Sequence, residues 1–159
     1  MIINIANKYQ LRMYLSRTEK RQGVCSKSFN DDNHILLWDF DNTAKSIIIR
    51  ELKYIMKKYK LPSIYVLQSS TTGYHAYCFA SRSFRETIQI LADTNCIDFY
   101  YFKLGIIRGY YTLRFSKRQG QSPKLVKKIL SNIPDEISPL DITTNEYYTT
   151  NKGVKNAKR

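Results

Sequence analysis

Two aspartates separated by a single residue, Asp39 and Asp41, follow an apolar run at residues 35–38. In a strand, residues two apart point to the same side, so these carboxylates would stand side by side. Like charges this close repel unless a cation lies between them. Mg²⁺ binds one or two carboxylates together with substrate phosphates, so the pair predicts a Mg²⁺ or Mn²⁺ site. The alternative is a solvated strand end in which Asp41-Asn42 caps the next helix.

A second candidate group lies in a polar turn at residues 68–73 and at the start of the strand after it. It includes Ser70, Gly73 and His75. Glycine relaxes the backbone where a phosphate could approach. Hydroxyls and turn N–H groups are natural phosphate donors, and the histidine beside them could contact a triphosphate. The alternative is an ordinary hairpin turn followed by a core or surface histidine.

Basic residues cluster around a third segment, residues 108–118. An arginine inside a strand, here Arg114, is costly to bury without an anionic partner. Lys117 and Arg118 extend the positive patch, and Arg108 precedes it, so the segment predicts contacts with phosphate or nucleic acid. The alternative is an exposed strand face with solvated charges. Upstream, Asp98 is the best remaining acid for a third metal contact, and Asp93, which follows the expected helix 84–92, is its rival.

The charge balance favours a polyanion as partner. The chain carries 26 Lys and Arg against 13 Asp and Glu, a net charge of +13. Basic side chains that neutralise phosphates release counterions, which favours binding to nucleic acid. The alternative is a basic protein from an AT-rich genome, which would also enrich lysine. Among 13 Tyr, Tyr77 and Tyr111 are candidates for stacking on bases. No signal peptide, membrane span or disulfide framework is expected, which predicts a cytoplasmic protein.

The elements that must position these residues follow from periodicity and capping signals. We expect a strand at 35–41, a helix at 43–59 with Thr43 as N-cap, and a hairpin of strands 64–67 and 74–80. The expected elements in the other regions are a helix at 5–15, a loop at 16–32, a helix at 84–92 opened by the capping box Ser83 to Glu86, a strand within 97–107, a strand at 110–116 and a helix at 122–130.

This order predicts an α+β fold, with an antiparallel-rich sheet and helices packed on one face. An RNA-recognition-like (ferredoxin-like) palm fits that description. We expect one domain over residues 1–145, with a basic segment at 1–33 and a core at 34–133. Residues 146–159 are expected to form a flexible polar and basic tail.

The order of the motifs resembles the archaeo-eukaryotic primase-polymerase superfamily. Its D-x-D motif matches residues 37–41, its small-x-His motif matches residues 70–75, and its hydrophobic-Asp motif matches Ile97-Asp98. The resemblance covers residues 35–118. The chain is short for this superfamily and lacks its zinc-binding stem and helicase domain. We therefore expect a reduced viral or plasmid-type form, a subunit that needs partners, or a binding remnant without catalysis.

The resemblance implies that Asp39 and Asp41 bind two metal ions with Asp98 assisting. His75 would contact the triphosphate of an incoming nucleotide, and Arg114 with Lys117 would hold phosphate or template. The reaction would be attack of a 3′-hydroxyl on an α-phosphorus. The implied partners are nucleoside triphosphates, a single-stranded DNA template and a helicase or other replication protein.

Two other functions fit the same residues. A rolling-circle-type nicking endonuclease would use His75 and a tyrosine nucleophile such as Tyr54, but Tyr77 stands where that family has a second histidine. A non-catalytic single-strand-binding protein would use the positive charge and the tyrosines, and it would not need the acids.

Overall fold

The computed structural model of the chain describes residues 2–5, 9–12, 18–28, 32–117 and 121–150, with side chains for 21–28, 32–117 and 121–144. Within these ranges the chain forms nine strands, three α-helices and one 3-10 helix. In chain order they are β1 (Ile2–Ile5), β2 (Tyr9–Arg12), β3 (Thr18–Ser28), β4 (His34–Asp41), α1 (Lys45–Lys58), β5 (Ile64–Gln68), β6 (Gly73–Arg82), α2 (Phe84–Ala92), α3 (Phe99–Arg108), β7 (Thr112–Arg114), β8 (Lys124–Ile129), the 3-10 helix Pro139–Asp141 and β9 (Ile142–Thr150).

Seven strands form one open sheet. Its order is β7-β3-β4-β6-β5-β8, with β9 also paired to β3, and every one of these pairs is antiparallel. Strands β1 and β2 form a separate antiparallel pair. The predicted α+β fold with an antiparallel-rich sheet is therefore confirmed. The finer assignment to a ferredoxin-like palm with helices on one face stays a prediction.

Strand β4 lies at the centre of the core because it is apolar on both faces. The Trp38 indole N–H donates to the Thr94 hydroxyl at 3.0 Å, so the one polar atom of this large side chain is satisfied where it is buried. Helix α1 packs its apolar stripe into the same core. The fully buried residues of β4 and α1 are Ile35, Leu36, Leu37, Trp38, Phe40, Ile48, Leu52 and Ile55.

The elements on either side of β4 agree with the sequence. The predicted strand 35–41, the helix 43–59 and the hairpin 64–80 are confirmed by β4, α1, β5 and β6. The capping box of α2 is also present, since Ser83 accepts from the Glu86 N–H and Glu86 accepts from the Ser83 N–H. Thr43 is not the N-cap of α1, however. The helix starts after Ala44, which provides no side-chain cap, and the Thr43 hydroxyl donates to the Asp41 carbonyl.

The N-terminal expectations are wrong. The predicted helix 5–15 contains strand β2, and the predicted loop 16–32 contains the eleven-residue strand β3. Strand β3 pairs with β4, β7 and β9, whose partner residues lie as far away as Thr150.

The predicted C-terminal tail begins inside β9, since residues 146–150 belong to that strand. Residues 151–159 of the tail lie outside the described residues.

Two C-terminal expectations are also wrong. The predicted helix 122–130 is strand β8, which pairs with β5 at the sheet edge. The predicted strand within 97–107 is helix α3. Asp98 caps α3 by accepting from the Tyr101 N–H, and Gly109 ends it in the left-handed conformation with φ of 76°. These two caps outweigh the β-propensity of the aromatic residues between them.

Strand β7 is Thr112–Arg114, shorter than the predicted 110–116. The three cysteines, Cys25, Cys78 and Cys96, are free thiols. Across the described residues, no helix combines the length and apolar character needed to cross a membrane.

Candidate functional site

The pairing of β4 with β6 brings the first two predicted groups together. In the antiparallel register Asp39 lies directly opposite His75, and Asp41 lies opposite Gly73. Directly opposed residues have Cβ atoms about 4.5–5.5 Å apart, so the side chains of Asp39 and His75 meet on one face. The acids and the histidine, which are more than thirty residues apart in the chain, therefore share one end of the sheet.

His75 is a buried neutral imidazole. Its side chain is 7% exposed, and Nε2 lies 3.6 Å from Asp39 Oδ1, beyond hydrogen-bond distance. Burial and then the Arg114 guanidinium lower the pKa of His75 to about 3, so this contact is not an ion pair. Nδ1 has no hydrogen-bond partner in the described residues, although the Arg114 backbone is near enough to favour the protonated ring slightly. A buried polar atom without a partner is expected where a ligand binds.

Asp39 lies in a concentration of negative charge. Burial above all, and then the carboxylates of Asp41 and Asp98, raise its pKa to about 7. A hydrogen bond from the Phe40 backbone and the positive charge of Arg114 act in the opposite direction. In a protein with twice as many basic as acidic residues, three acids at one point suggest that a cation belongs there.

Asp98 reaches the site from a different element than expected. Its backbone N–H donates to the Asp39 carbonyl at 2.8 Å, which joins the start of α3 to β4. Its Oδ1 accepts from the Tyr101 N–H at 2.6 Å, so one carboxylate oxygen is committed to capping the helix. Asp98 thus lies beside Asp39 as predicted, but with only part of its carboxylate open to another ligand.

Gly73 forms the floor of a small polar cradle. A Cβ atom at this position would lie 2.7 Å from Ser70 Oγ, 3.1 Å from Asp41 Oδ1 and 3.1 Å from Ser69 Oγ. Real Cβ atoms essentially never approach another heavy atom as closely as the first of these distances. The absence of a side chain at Gly73 lets these three oxygens converge, and the predicted approach of a phosphate stays a prediction.

Arg114 completes the cluster from β7. Its guanidinium donates to the Ser69 carbonyl at 3.0 Å and also to the Ser116 carbonyl. These bonds hold the positive charge near both Asp39 and His75, whose pKa values it affects. The predicted strand arginine therefore lies at the acidic site, held by backbone carbonyls.

A pocket of about 480 Å³ opens on the far side of the same turn. Ser70 and Thr71 line it from the turn, and Ser122 and Lys124 line it from β8 and the segment before it. Neither Ser122 nor Lys124 was predicted as a site residue, because the sequence pattern placed both on a helix. The signal available was the Ser-Pro-Lys segment, whose hydroxyl and ammonium groups suit a phosphate.

The other predicted residues do not join this cluster. Tyr77 and Tyr111 are only 6% and 1% exposed, so their rings cannot stack on a base, and that expectation is wrong. Arg108 is exposed in the last turn of α3, at the opposite end of the helix from Asp98. The Lys117 side chain is exposed, while its carbonyl accepts from Arg21. Arg118 lies outside the described residues.

The donor set fits a metal ion held jointly with a substrate. Among residues 21–28, 32–117 and 121–144, no three His, Cys, Asp or Glu side chains are close enough to form a complete protein site. Two carboxylates with an oxygen-rich cradle are nevertheless what Mg²⁺ uses when phosphates supply its other ligands. Asp39 and Asp41 would hold the ion, and a cation there would oppose both the burial and the repulsion that raise the pKa of Asp39.

Comparisons with known proteins assign no relative to this chain: no family model, no curated protein and no solved structure matches it.

Proposed function

We propose that the protein is a metal-dependent nucleotidyltransferase of the primase-polymerase type, acting on nucleic acid during replication of a mobile element in the cytoplasm of its host. The observation that carries this proposal is the β4–β6 register, which sets Asp39 against His75 and Asp41 against Gly73. Two carboxylates, a neutral histidine and a glycine-floored hydroxyl cradle at one sheet end are suited to binding a triphosphate and its metal.

Each residue of the cluster has a distinct task in this proposal. Asp39 and Asp41 hold the divalent ion, which supplies Lewis-acid stabilisation of phosphoryl oxygens when bound. Neutral His75 donates a hydrogen bond to the triphosphate without adding a charge beside Arg114. The hydroxyls of Ser69 and Ser70 surround the Gly73 floor and donate to phosphate oxygens. Arg114, held by backbone carbonyls, contributes a fixed positive charge.

Preorganisation is what the fold adds to these chemical groups. The Arg114 guanidinium is fixed by two carbonyls, and Asp98 fixes the backbone at Asp39. Groups already aimed at developing charge need no reorganisation when the reaction occurs, which is usually the largest single contribution to catalysis. Lys124 faces the same turn from the adjoining pocket and extends the phosphate-binding surface.

The test is primer extension and primer synthesis on a single-stranded template with nucleoside triphosphates and either Mn²⁺ or Mg²⁺. We expect metal-dependent incorporation by the wild-type protein and none by Asp39→Asn/Asp41→Asn. Asp32→Asn/Asp135→Asn is the matched control, because both of these acids are exposed and lie outside the site. The control should extend primers at the wild-type rate.

Absence of incorporation with both metals, under conditions where the protein is folded and binds template, would contradict catalysis. Of the two functions then left, a nicking endonuclease and a non-catalytic single-strand-binding protein, one observation favours the second. The described residues do not provide a complete three-ligand metal site. A binding protein would hold single strands without metal, and Asp39→Asn/Asp41→Asn would leave that affinity unchanged.

A further inference from the structure

A groove lined by lysines lies between the C-terminal half of α1 and strand β8. Its volume is about 780 Å³, and none of its lining residues is acidic. The lysines come from both walls, three from α1 and the residues after it and two from β8. They are Lys53, Lys57, Lys60, Lys127 and Lys128, and we call this surface the lysine groove.

All five lysines are exposed, and none forms an ion pair with a described residue. The ammonium group of Lys128 lies over the Tyr65 ring, 4.8 Å from its centroid. Lys127 pairs with the fully buried Val66 and points to the opposite face of the sheet from Lys128, so the charge of the groove comes from the four lysines other than Lys128. By contrast, the neighbouring Lys58 is paired with Asp93 at 2.6 Å and lies outside the groove. The structure therefore concentrates unneutralised positive charge in a concave surface, where field lines are focused and an anionic ligand is attracted.

Ordinary structural roles account for only part of this charge. One basic residue in the last turn of α1 is enough to favour the helix dipole, and Lys58 already lies there. One or two lysines on edge strand β8 would discourage edge-to-edge pairing. The four remaining cations around one groove exceed both needs, and a concave surface that carries them attracts an anionic partner.

Strand β8 connects the groove to the candidate site. Lys124 pairs with Gln68 and lines the pocket beside the site, whereas Lys127 pairs with Val66 and lines the groove. Three residues of strand separate them, which is roughly 10 Å at 3.3 Å per residue. A flexible linear polyanion could follow this edge from one surface to the other, while a compact anion could not occupy both.

We propose that the lysine groove binds the phosphodiester backbone of a nucleic-acid strand, separately from the acidic site. Met56 and Leu61 form apolar parts of the groove and suit the sugars between phosphates. Such contacts position a strand without reading its sequence. The proposal does not depend on metal binding or catalysis, and it holds equally for a protein that only binds single strands.

The experiment measures fluorescence anisotropy of a labelled single strand of about 20 nucleotides in EDTA over a range of KCl concentrations. Lys57→Ala/Lys127→Ala removes one lysine from each wall. We expect its Kd to rise about tenfold and the slope of log Kd against log salt to fall by about 1.4, since each single-strand phosphate contact contributes about 0.7. Lys53→Ala/Lys60→Ala, which changes two other lysines of the groove, should show the same losses.

Arg50→Ala/Arg85→Ala is the matched control. It removes the same charge from two exposed positions outside the groove, so its Kd should change less than about twofold, as general charge alone predicts. Equal losses in the groove and control variants would overturn the proposal, as would unchanged binding by both groove variants. Loss of binding to phosphatidylserine vesicles by the groove variants, with oligonucleotide binding intact, would assign the groove to a membrane surface instead.

The acidic site is tested separately in the same assay. Asp39→Asn/Asp41→Asn should bind the oligonucleotide as the wild type does, because neither residue lines the groove. A variant that loses primer extension but still binds the strand without metal has lost catalysis, whereas its lysine groove still functions. The two proposals can therefore fail independently. If unlabelled polyglutamate displaced the strand as well as unlabelled DNA at equal charge concentration, the assignment to nucleic acid would be wrong.

Discussion

The two ends of the β5–β6 hairpin carry opposite charge in opposite physical settings. At the turn end Asp39 is partly buried beside Asp41 and Asp98, and its pKa rises to about 7. At the other end the lysine groove places four cations in solvent, without described counter-charges. Coupling between charges is strong where water is excluded and weak where it is not. We therefore expect the acidic site to respond to mutation as a unit and the groove to respond one lysine at a time.

The largest expected effect is on catalysis at the acidic end. Asp39→Asn keeps the side-chain shape but removes one of the charges that would hold the metal ion. Primer extension should fall about 100- to 1,000-fold, the size typical of losing one preorganised charge-stabilising group. Lys57→Ala, measured on the same template at saturating concentration, should keep a rate within about threefold of wild type. Equal rate losses in these two variants would remove the distinction between the two ends.

The second-largest expected effect is on stability. Asp39→Asn should increase the stability of the folded protein, although it decreases catalysis. The pKa of Asp39 is about 7 in the folded protein, whereas an unperturbed aspartate has a pKa of 3.8. Between these values the folded state keeps a proton that the unfolded state has lost, so stability decreases as pH rises from 3.8 to about 7. Asp39→Asn should therefore raise the free energy of unfolding at pH 8, by about 1–4 kcal/mol, and have little effect at pH 4.

Urea unfolding at pH 4 and pH 8 measures this difference. His75 contributes with the reverse sign, because its pKa falls from 6.5 to about 3 and the unfolded state binds the extra proton. Asp39→Asn should consequently show a stability that decreases as pH falls from 6.5 towards 3. Lys57→Ala/Lys127→Ala provides the comparison and should keep the wild-type pH profile. A profile unchanged by Asp39→Asn would mean that neither burial nor the neighbouring acids raise the pKa of Asp39 in the folded protein.

A third prediction compares two glycines. Gly73→Ala places a Cβ 2.7 Å from Ser70 Oγ, so Ser70 and Asp41 must move. Primer extension should fall at least about tenfold, since displacements of this kind affect positioned groups strongly. Gly109→Ala is the control: its Cβ meets nothing within 4 Å, but its φ of 76° is strained for alanine. It should lower stability by about 1 kcal/mol and leave the extension rate of the folded protein unchanged.

The residues of the acidic end were largely predictable from the sequence, and the reason is physical. Strand β4 is buried on both faces, so its composition is nearly continuous in apolar residues until Asp39. Strands β5 and β6 are joined by a short polar turn, so their pairing is local. Once β4 and β6 are placed as antiparallel neighbours, the opposition of Asp39 and His75 depends only on register.

The elements around the acidic site were not predictable from the sequence, because each of them forms through contacts with segments distant in the chain. Strand β3 has few apolar residues and exists through pairing with β7 and β9. Strand β8 has a composition that suits a helix as well, and its pairing with β5 decides the outcome. Helix α3 consists of residues that favour strands, and its start is joined to a distant strand, since the Asp98 N–H donates to the Asp39 carbonyl of β4. The lysine groove requires both α1 and β8, so it could not be derived while β8 was taken for a helix.

The smallest expected effect is that of a single lysine, and its additivity is the sharpest test of the contrast. Lys57→Ala and Lys127→Ala should each weaken metal-free single-strand binding about threefold, and the double variant should weaken it by the product, because solvated charges on opposite walls hardly interact. In contrast, Asp41→Asn should add little to the loss of primer extension already caused by Asp39→Asn, since both acids serve one ion. Two double-mutant cycles measure these couplings. The lysine cycle uses Kd values from anisotropy, and the aspartate cycle uses initial rates of primer extension. Coupling between the lysines as strong as that between the aspartates would show that the groove is a preorganised site for one compact anion, and a strand-binding surface would no longer explain it.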